Sequence, residues 1–286
     1  PRMKKAKDIV KSYGVYGSFY AGDSNPSTLF SGVKSQLSII ILSKNFKKSF
    51  STNYVRWFDD YRNVLFNNIT YTETSFDSEY FKIGHSIEFN ILQKIVSDKK
   101  NLLSYFIPNG GHKFYYRNAS GSYYRMFYTT PPQIIVNGVK QISTTLKPTF
   151  CSINENLVVA LCSSSLFHWY WTTISDNYHI TKKEFSNFYF SYNPDESINK
   201  HLIELNEQLM SDYKKNSTFR EEIKTSTQQL RKVEIYYPRL SKSIIDEIDK
   251  VLAKHYGFTD EELDYIINYD IKYRMGDSLN GGNNEE

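Results

Sequence analysis

VYGSFYAGDSNPSTLFSGVKSQLSIIIL, residues Val15 to Leu42, holds two strand candidates around a turn-rich link. The first is VYGSFYA, Val15 to Ala21; the second is SQLSIIIL, Ser35 to Leu42. The second is nearly continuous in Ile and Leu, the pattern of a strand covered on both faces. The link between them, GDSNPSTLFSGVK, is rich in residues that favour turns over strand ladders. Two strand candidates therefore stand near the front of the chain, and the elements around them decide the fold class.

Upstream, RMKKAKDIVKSYG reads as the end of an amphipathic helix, with Met3, Ala6, Ile9 and Val10 at helical spacing and Gly14 to close it. Downstream, Val55, Phe58, Val64 and Leu65 predict a helix over about 53–66, and Ile87, Ile91, Leu92 and Ile95 a second over 86–96. A long irregular stretch with short strands follows. LVVALCSSSLFHWYW predicts one helix from about Leu157 to Trp171, and Thr181 with Glu184 forms a capping box for a short one. The tail is mostly helical: Ile198 to about Met210, then a strand in KVEIYY, then SKSIIDEIDKVLAKHYG ending at Gly257. Thr259 and Glu262 cap a last helix. The expectation is an α+β protein divided at 1–74, 75–195 and 196–286.

The chain has 286 residues, 40% of them apolar, so it can bury a core and is not intrinsically disordered. Its 24 Tyr and 19 Phe suit half-buried strands or surfaces that stack against a partner. The net charge is +4, but residues 1–74 carry +6, residues 75–195 carry +3 and the remainder −5. That asymmetry points the front of the chain at a polyanion. Between Lys99 and Asn154 there are seven Lys or Arg and no Asp or Glu.

Cys151 and Cys162 lie among apolar or small residues and read as reduced core residues of an intracellular, cytoplasmic protein. With no C-x-x-C pair and six scattered His, no metal is expected. The apolar runs Leu37 to Leu42 and Leu157 to Cys162 are far short of the ~20 residues of a membrane span, so no membrane partner is expected. No two glycines are separated by one residue, which excludes a G-x-G phosphate loop, and neither a P-loop nor a G-x-S-x-G elbow occurs. Asp59-Asp60 and Glu221-Glu222 read as solvated helix faces, and His168 as a core-edge residue. Alone, the chain carries no complete active site. It opens at Pro1 directly on a basic stretch, and the expectation is that it was cut from something longer.

It does carry a nucleic-acid pattern. GGHKFYYRNASGSYYRMFYTTPP, Gly110 to Pro132, interleaves Tyr115, Tyr116, Tyr123, Tyr124 and Tyr128 with Lys113, Arg117 and Arg125. Cations neutralise phosphates, Asn and Ser reach phosphates or base edges, and rings stack or pack on sugars. An aromatic-rich antiparallel sheet that happens to be basic is the alternative.

Three stretches also resemble the C-terminal half of adenine-specific DNA methyltransferases of type II and type IIG restriction–modification systems. NPSTLFSGVKSQLSIIIL is similar to their RPS-x-LF-x-GV-x-x-RLSI segment between the last two catalytic-domain strands. LVVALCSSSLFHWYWTTISDNYHITKKEFSNF looks like ALLNSSLF-x-WYW…SDGRHLT of their recognition region. IDEIDKVLAKHYGFTDEELDYIINYDIKYRMG resembles their C-terminal signature ending in YDIKYR. The resemblance implies the last helix and strand hairpin of a Rossmann-like catalytic domain (1–74), a DNA target-recognition domain (75–195) and a helical tail (196–286). The methyl-donor loop and the Asn-Pro-Pro-Tyr motif would lie upstream, and Thr130-Pro131-Pro132-Gln133 does not replace the latter.

By that resemblance the full enzyme extrudes an adenine from double-stranded DNA and methylates its N6 amine from S-adenosylmethionine. This chain, lacking the part that binds the cofactor, is expected to be inactive alone and to need the rest of the methyltransferase chain. The stacking residue for the extruded base falls on Phe30, with Phe19 as runner-up, because a flipped base needs a rigid face worth roughly 1–3 kcal/mol. Asn25 stands where the family usually has Arg. Lys34 is read as a phosphate contact. Arg117 and Arg125 are the first candidates for base-edge readers, since an Arg fork binds guanine bidentately, followed by Asn118 and Ser120. Lys113, Tyr116, Tyr123 and Tyr124 complete the expected DNA-binding set. A non-catalytic specificity module acting with a separate methyltransferase subunit is the alternative, and a Tyr-rich interaction domain without a DNA role a third. The sequence upstream of Pro1 would separate the first two.

Overall fold

The computed structural model describes residues 13–20, 36–56, 59–67, 69–74, 81–118, 127–193, 196–224, 229–271 and 274. It is a mixed α/β chain with three separate four-stranded sheets. Two compact units divide it: residues 1–93 with 170–177, and residues 94–169 with 178–286. These do not coincide with the expected divisions at 74/75 and 195/196.

In the first unit the sheet order is β2 (Leu37–Ser43), β1 (Gly14–Tyr20), β3 (Ser49–Val55), β4 (Thr72–Glu73). β1 runs antiparallel to β2 from Gly14 opposite Ser43 to Tyr20 opposite Leu37, and parallel to β3. The β1–β3 register slips between Gly17 and Phe19, where Thr52 Oγ1 accepts the Phe19 N–H at 3.3 Å. The expected helix over 53–66 is instead the end of β3 and a 3-10 turn at Asp59–Val64. β-branched and aromatic residues in SFSTNYV favour the ladder with β1 over helix formation. Leu65 packs with Tyr20, Leu37, Val55 and Ile69. On one face Tyr16 stacks on Phe50 at 4.8 Å and meets Tyr71 edge-on at 5.3 Å. On the other, Ser51 Oγ donates to the Ile83 carbonyl at 2.9 Å, and a Cβ on Gly84 would come within 2.7 Å of the Asn53 nitrogen. Only glycine allows that approach. The helix α1 (Ser86–Val96) follows as expected, with Glu88 accepting the N–H groups of Gly84 and His85.

β2 departs from its sequence pattern. It is an edge strand among the described residues, and Ile39 to Leu42 are exposed on both of its faces, Ile40 at 55% and Ile41 at 57%. A continuous apolar run marks a strand that could be covered twice, but coverage depends on what lies across it. Here β1 satisfies one edge, and no described element lies over Ile40 and Ile41.

In the second unit β5 (Phe106–Ile107), β10 (Leu146–Cys151), β6 (His112–Arg117) and β7 (Phe127–Tyr128) form an antiparallel sheet in the order β5–β10–β6–β7. A second sheet runs β11 (Thr218–Lys224), β12 (Gln229–Ile235), β8 (Gln133–Val136), β9 (Val139–Ile142). Asn137 and Gly138, both at positive φ, make the two-residue turn that joins β8 to β9. The buried Glu234 of β12 accepts the Gln133 N–H at 3.0 Å and pairs with Lys214.

The predicted helix over 157–171 is two helices, α2 (Glu155–Ser163) and α3 (Ser165–Ile174), broken at an extended Ser164. Serine hydroxyls compete with the helix ladder: Ser164 Oγ donates to the Leu161 carbonyl and accepts the Phe167 N–H. The N–H groups of Ser165 and Leu166 are taken by the Asp249 carboxylate at 3.1 and 3.0 Å. α4 (Lys182–Ser186) starts at the Thr181–Glu184 capping box. α5 (Ser197–Lys215) is joined to α2 by Asn206 donating to Asn156, which is why the tail does not stand apart from 94–169. α6 (Lys242–Tyr256) ends at Gly257 in the left-handed region, and α7 (Asp260–Asn268) starts at the Thr259–Glu262 box. Both cysteines are free and buried.

Candidate nucleic-acid interface

The strand β6, His-Lys-Phe-Tyr-Tyr-Arg, alternates between a buried and an exposed face as strand geometry requires. Phe114 and Tyr116 point inward. Tyr116 is only 8% exposed and stacks on Phe127 at 5.5 Å and on Phe114 at 6.2 Å, with Phe185 edge-on at 5.6 Å. Burial pushes its hydroxyl pKa up. The expectation that Tyr116 touches DNA is therefore corrected: its ring is a core element, and strand parity is the reason.

Lys113, Tyr115 and Arg117 share the opposite face. Lys113 and Arg117 are exposed and Tyr115 half-buried, with the Lys113 ammonium 5.4 Å from the Tyr115 ring centre. At about 3.4 Å per residue the two cations stand roughly 14 Å apart along the strand. Among the described residues neither is in an ion pair. Phe30, Lys34, Ser120, Tyr123, Tyr124 and Arg125 lie outside the described residues. Asn118 is half-buried, and its carbonyl accepts the Ile180 N–H at 2.8 Å. That bond brings the segment Tyr178–Ile180 to the end of β6, with Tyr178 exposed and edge-on to His179 at 4.7 Å. Phe19, the runner-up for base stacking, is half-buried with the Lys82 ammonium 5.9 Å from its ring centre.

Two hydroxyls near Arg117 carried no sequence signal. The register of β6 and β10 sets Arg117 opposite Leu146, and so the residues entering β10 beside the guanidinium. One guanidinium nitrogen of Arg117 donates to Thr145 Oγ1 at 3.2 Å, and Thr145 Oγ1 shares a 2.8 Å hydrogen bond with Ser143 Oγ. The Thr145 N–H also reaches Ser143 Oγ at 3.3 Å. Only the antiparallel pairing of two strands distant in sequence assembles this group.

Elsewhere several titratable groups among the described residues are engaged structurally. Ser191, Asp98 and His255 have the composition of a hydrolytic triad but the wrong order. The carboxylate sits in the middle, bonded to Ser191 on one side and to His255 at 3.0 Å on the other. Burial pushes the Asp98 carboxyl up, but bonds from Ser191 and His255 outweigh it and hold it below its ordinary value. Burial, with Glu155 nearby, pushes the Cys151 thiol up to about 12, the reverse of an activated nucleophile. Glu221 and Glu222 are on a strand rather than a helix and pair with Lys232 and Arg231 on opposite faces. Asp59 and Asp60 have side chains outside the described set. His168 is buried beside Tyr269. Among the described residues no group of His, Cys, Asp and Glu is placed to hold a metal, and no helix is long and apolar enough to cross a membrane. An open hollow lined by Glu204, Glu207, Asp212 and Lys215 is acidic and suits no anionic partner. Set beside protein-family models, curated proteins and solved structures, the chain matches none of them.

Proposed function

We propose that this chain is the DNA target-recognition part of a site-specific adenine DNA methyltransferase, working in the cytoplasm on double-stranded DNA. The observation that carries the reading is the outward face of β6. Lys113, Tyr115 and Arg117 stand together there, in a 56-residue stretch that contains no acidic side chain. Such a face attracts a polyanion and can contact both backbone and base. The three sequence resemblances narrow polyanion to duplex DNA and recognition to methylation.

The apolar strand β2 supports the catalytic-domain part of the reading. Its hairpin partner β1 fills one edge, and its other edge and both faces are what a Rossmann-like sheet with helices on each side would cover. Phe30 would then stack on the extruded adenine, and Lys34 would hold a phosphate nearby. The residues of this chain do not fit S-adenosylmethionine: there is no Gly-x-Gly turn, and the hollow beside α5 is open and acidic. No methyl-transfer step is assigned to them.

Fluorescence anisotropy of a labelled duplex of about 30 base pairs tests the reading. The chain should bind at about 50 mM salt and weaken linearly in log–log coordinates, with a slope near −0.9 for each phosphate neutralised. Absence of binding at that low salt would overturn it.

A further inference from the structure

We infer that Arg117, Thr145 and Ser143 form a preassembled clamp for one phosphodiester of the bound strand, so that Arg117 positions the duplex and does not read a base. The inference rests on the DNA-recognition reading and assigns a ligand class to one part of that face. Thr145 Oγ1 accepts one N–H of the guanidinium, which leaves Arg117 four further donors. The hydroxyls of Thr145 and Ser143 share a single hydrogen bond, and Ser143 Oγ also accepts the Thr145 N–H. Whichever hydroxyl donates in the shared bond, the other keeps a proton for an outside acceptor. The cluster thus offers a fixed positive charge and at least one hydroxyl donor. Arg117 and Thr145 are exposed and Ser143 half-buried, and no carboxylate among the described residues is paired with them.

That donor set matches a phosphodiester, which carries one negative charge and two free oxygens. It suits a base edge less well. Reading guanine takes both prongs of a guanidinium fork extended into a groove, whereas Thr145 holds one prong against the strand. On residue type alone Arg117, with Arg125, is a first candidate for a base reader; the hydrogen-bonded surroundings of Arg117 assign it the other role.

The test uses the chain as it stands, with R117A and T145V, on three duplexes of unrelated sequence and equal length. R117A should shrink the logarithmic salt slope by about 0.9, which lessens the affinity lost between about 50 and 200 mM salt by about 3.5-fold. It should do so equally on all three duplexes. T145V keeps the charge and shape, so the slope should hold while affinity falls about fivefold. If R117A leaves the slope unchanged and weakens one duplex at least about tenfold more than the others, Arg117 reads a base and the clamp is wrong. Wild-type behaviour of either variant overturns it as well. Should the wild type bind no duplex, the DNA reading fails separately. Nuclear magnetic resonance with inorganic pyrophosphate then decides the clamp. Saturable shifts at the Arg117 side chain and the Thr145 amide, absent in R117A, uphold it, and their absence in the wild type ends it.

Discussion

Replacing Asp249 with asparagine (D249N) should change stability in a way that depends on pH, with a sign the structure fixes. The carboxylate is buried, and its two oxygens accept the Ser165 and Leu166 N–H groups at the start of α3. Arg274 lies nearby and donates to Ser165 Oγ. Burial pushes the Asp249 carboxyl up from 3.8 to about 6, although Ser165, Arg274 and the two backbone donors all pull it down. A raised folded-state pKa means the native state holds its proton more tightly than the unfolded chain does. The stability from this group is therefore complete below pH ~4 and is lost as pH rises through about 6. A rise of about two pKa units corresponds to about 3 kcal/mol. The amide of D249N does not titrate, and its single carbonyl can accept only one of the two N–H groups, a loss of roughly 1–3 kcal/mol. The difference between wild type and D249N, measured by urea denaturation, should thus widen by about 2.4 kcal/mol from about pH 7 to pH 4, since the unfolded carboxyl is still partly ionised at pH 4. A gap that narrowed on acidification would mean that Arg274 stabilises the ion more than burial penalises it, and the reasoning would fail.

Two further outcomes follow from burial. Y116A should cost about 3–5 kcal/mol in urea denaturation, as for a buried aromatic, while Y116F keeps both stability and duplex affinity; a large loss of affinity in Y116F would return Tyr116 to the interface. I40E together with I41K should change the stability of this chain by less than ~1 kcal/mol and reduce self-association on size-exclusion chromatography, because both side chains are more than half exposed; a loss above ~3 kcal/mol would show that β2 is covered.

The features legible in the sequence were those fixed within one turn of chain. The Thr181–Glu184 and Thr259–Glu262 boxes and the left-handed Gly257 need no distant partner, and all three occur as read. What failed depended on contacts far away. The stripe of Val55 and Leu65 imitated a helix because the ladder from β1 to β3 cannot be seen locally. The break at Ser164 is held partly by Asp249, 85 positions later. In the site, composition pointed to Lys113 and Arg117, but only strand parity separates Tyr115 from Tyr116. That alternation could have been read once β6 was drawn as a strand. The Arg117–Thr145–Ser143 group could not, because the pairing of β6 with β10 creates it.

Parity also explains how one short strand can serve stability and the proposed recognition role together. Phe114 and Tyr116 lock β6 into an aromatic core, where truncation costs about 3–5 kcal/mol. The residues alternating with them, Lys113, Tyr115 and Arg117, face outward, where most substitutions cost no more than ~0.5 kcal/mol. The outward face proposed to meet DNA can therefore change its chemistry one residue at a time while the sheet beneath keeps its geometry. A helix would blur the separation, since three or four of its residues per two turns form a graded stripe with flanks that are half core and half surface. A strand divides its residues cleanly, and the Thr145 hydroxyl adds what the alternation lacks: a fixed direction for the one cation at the strand's end.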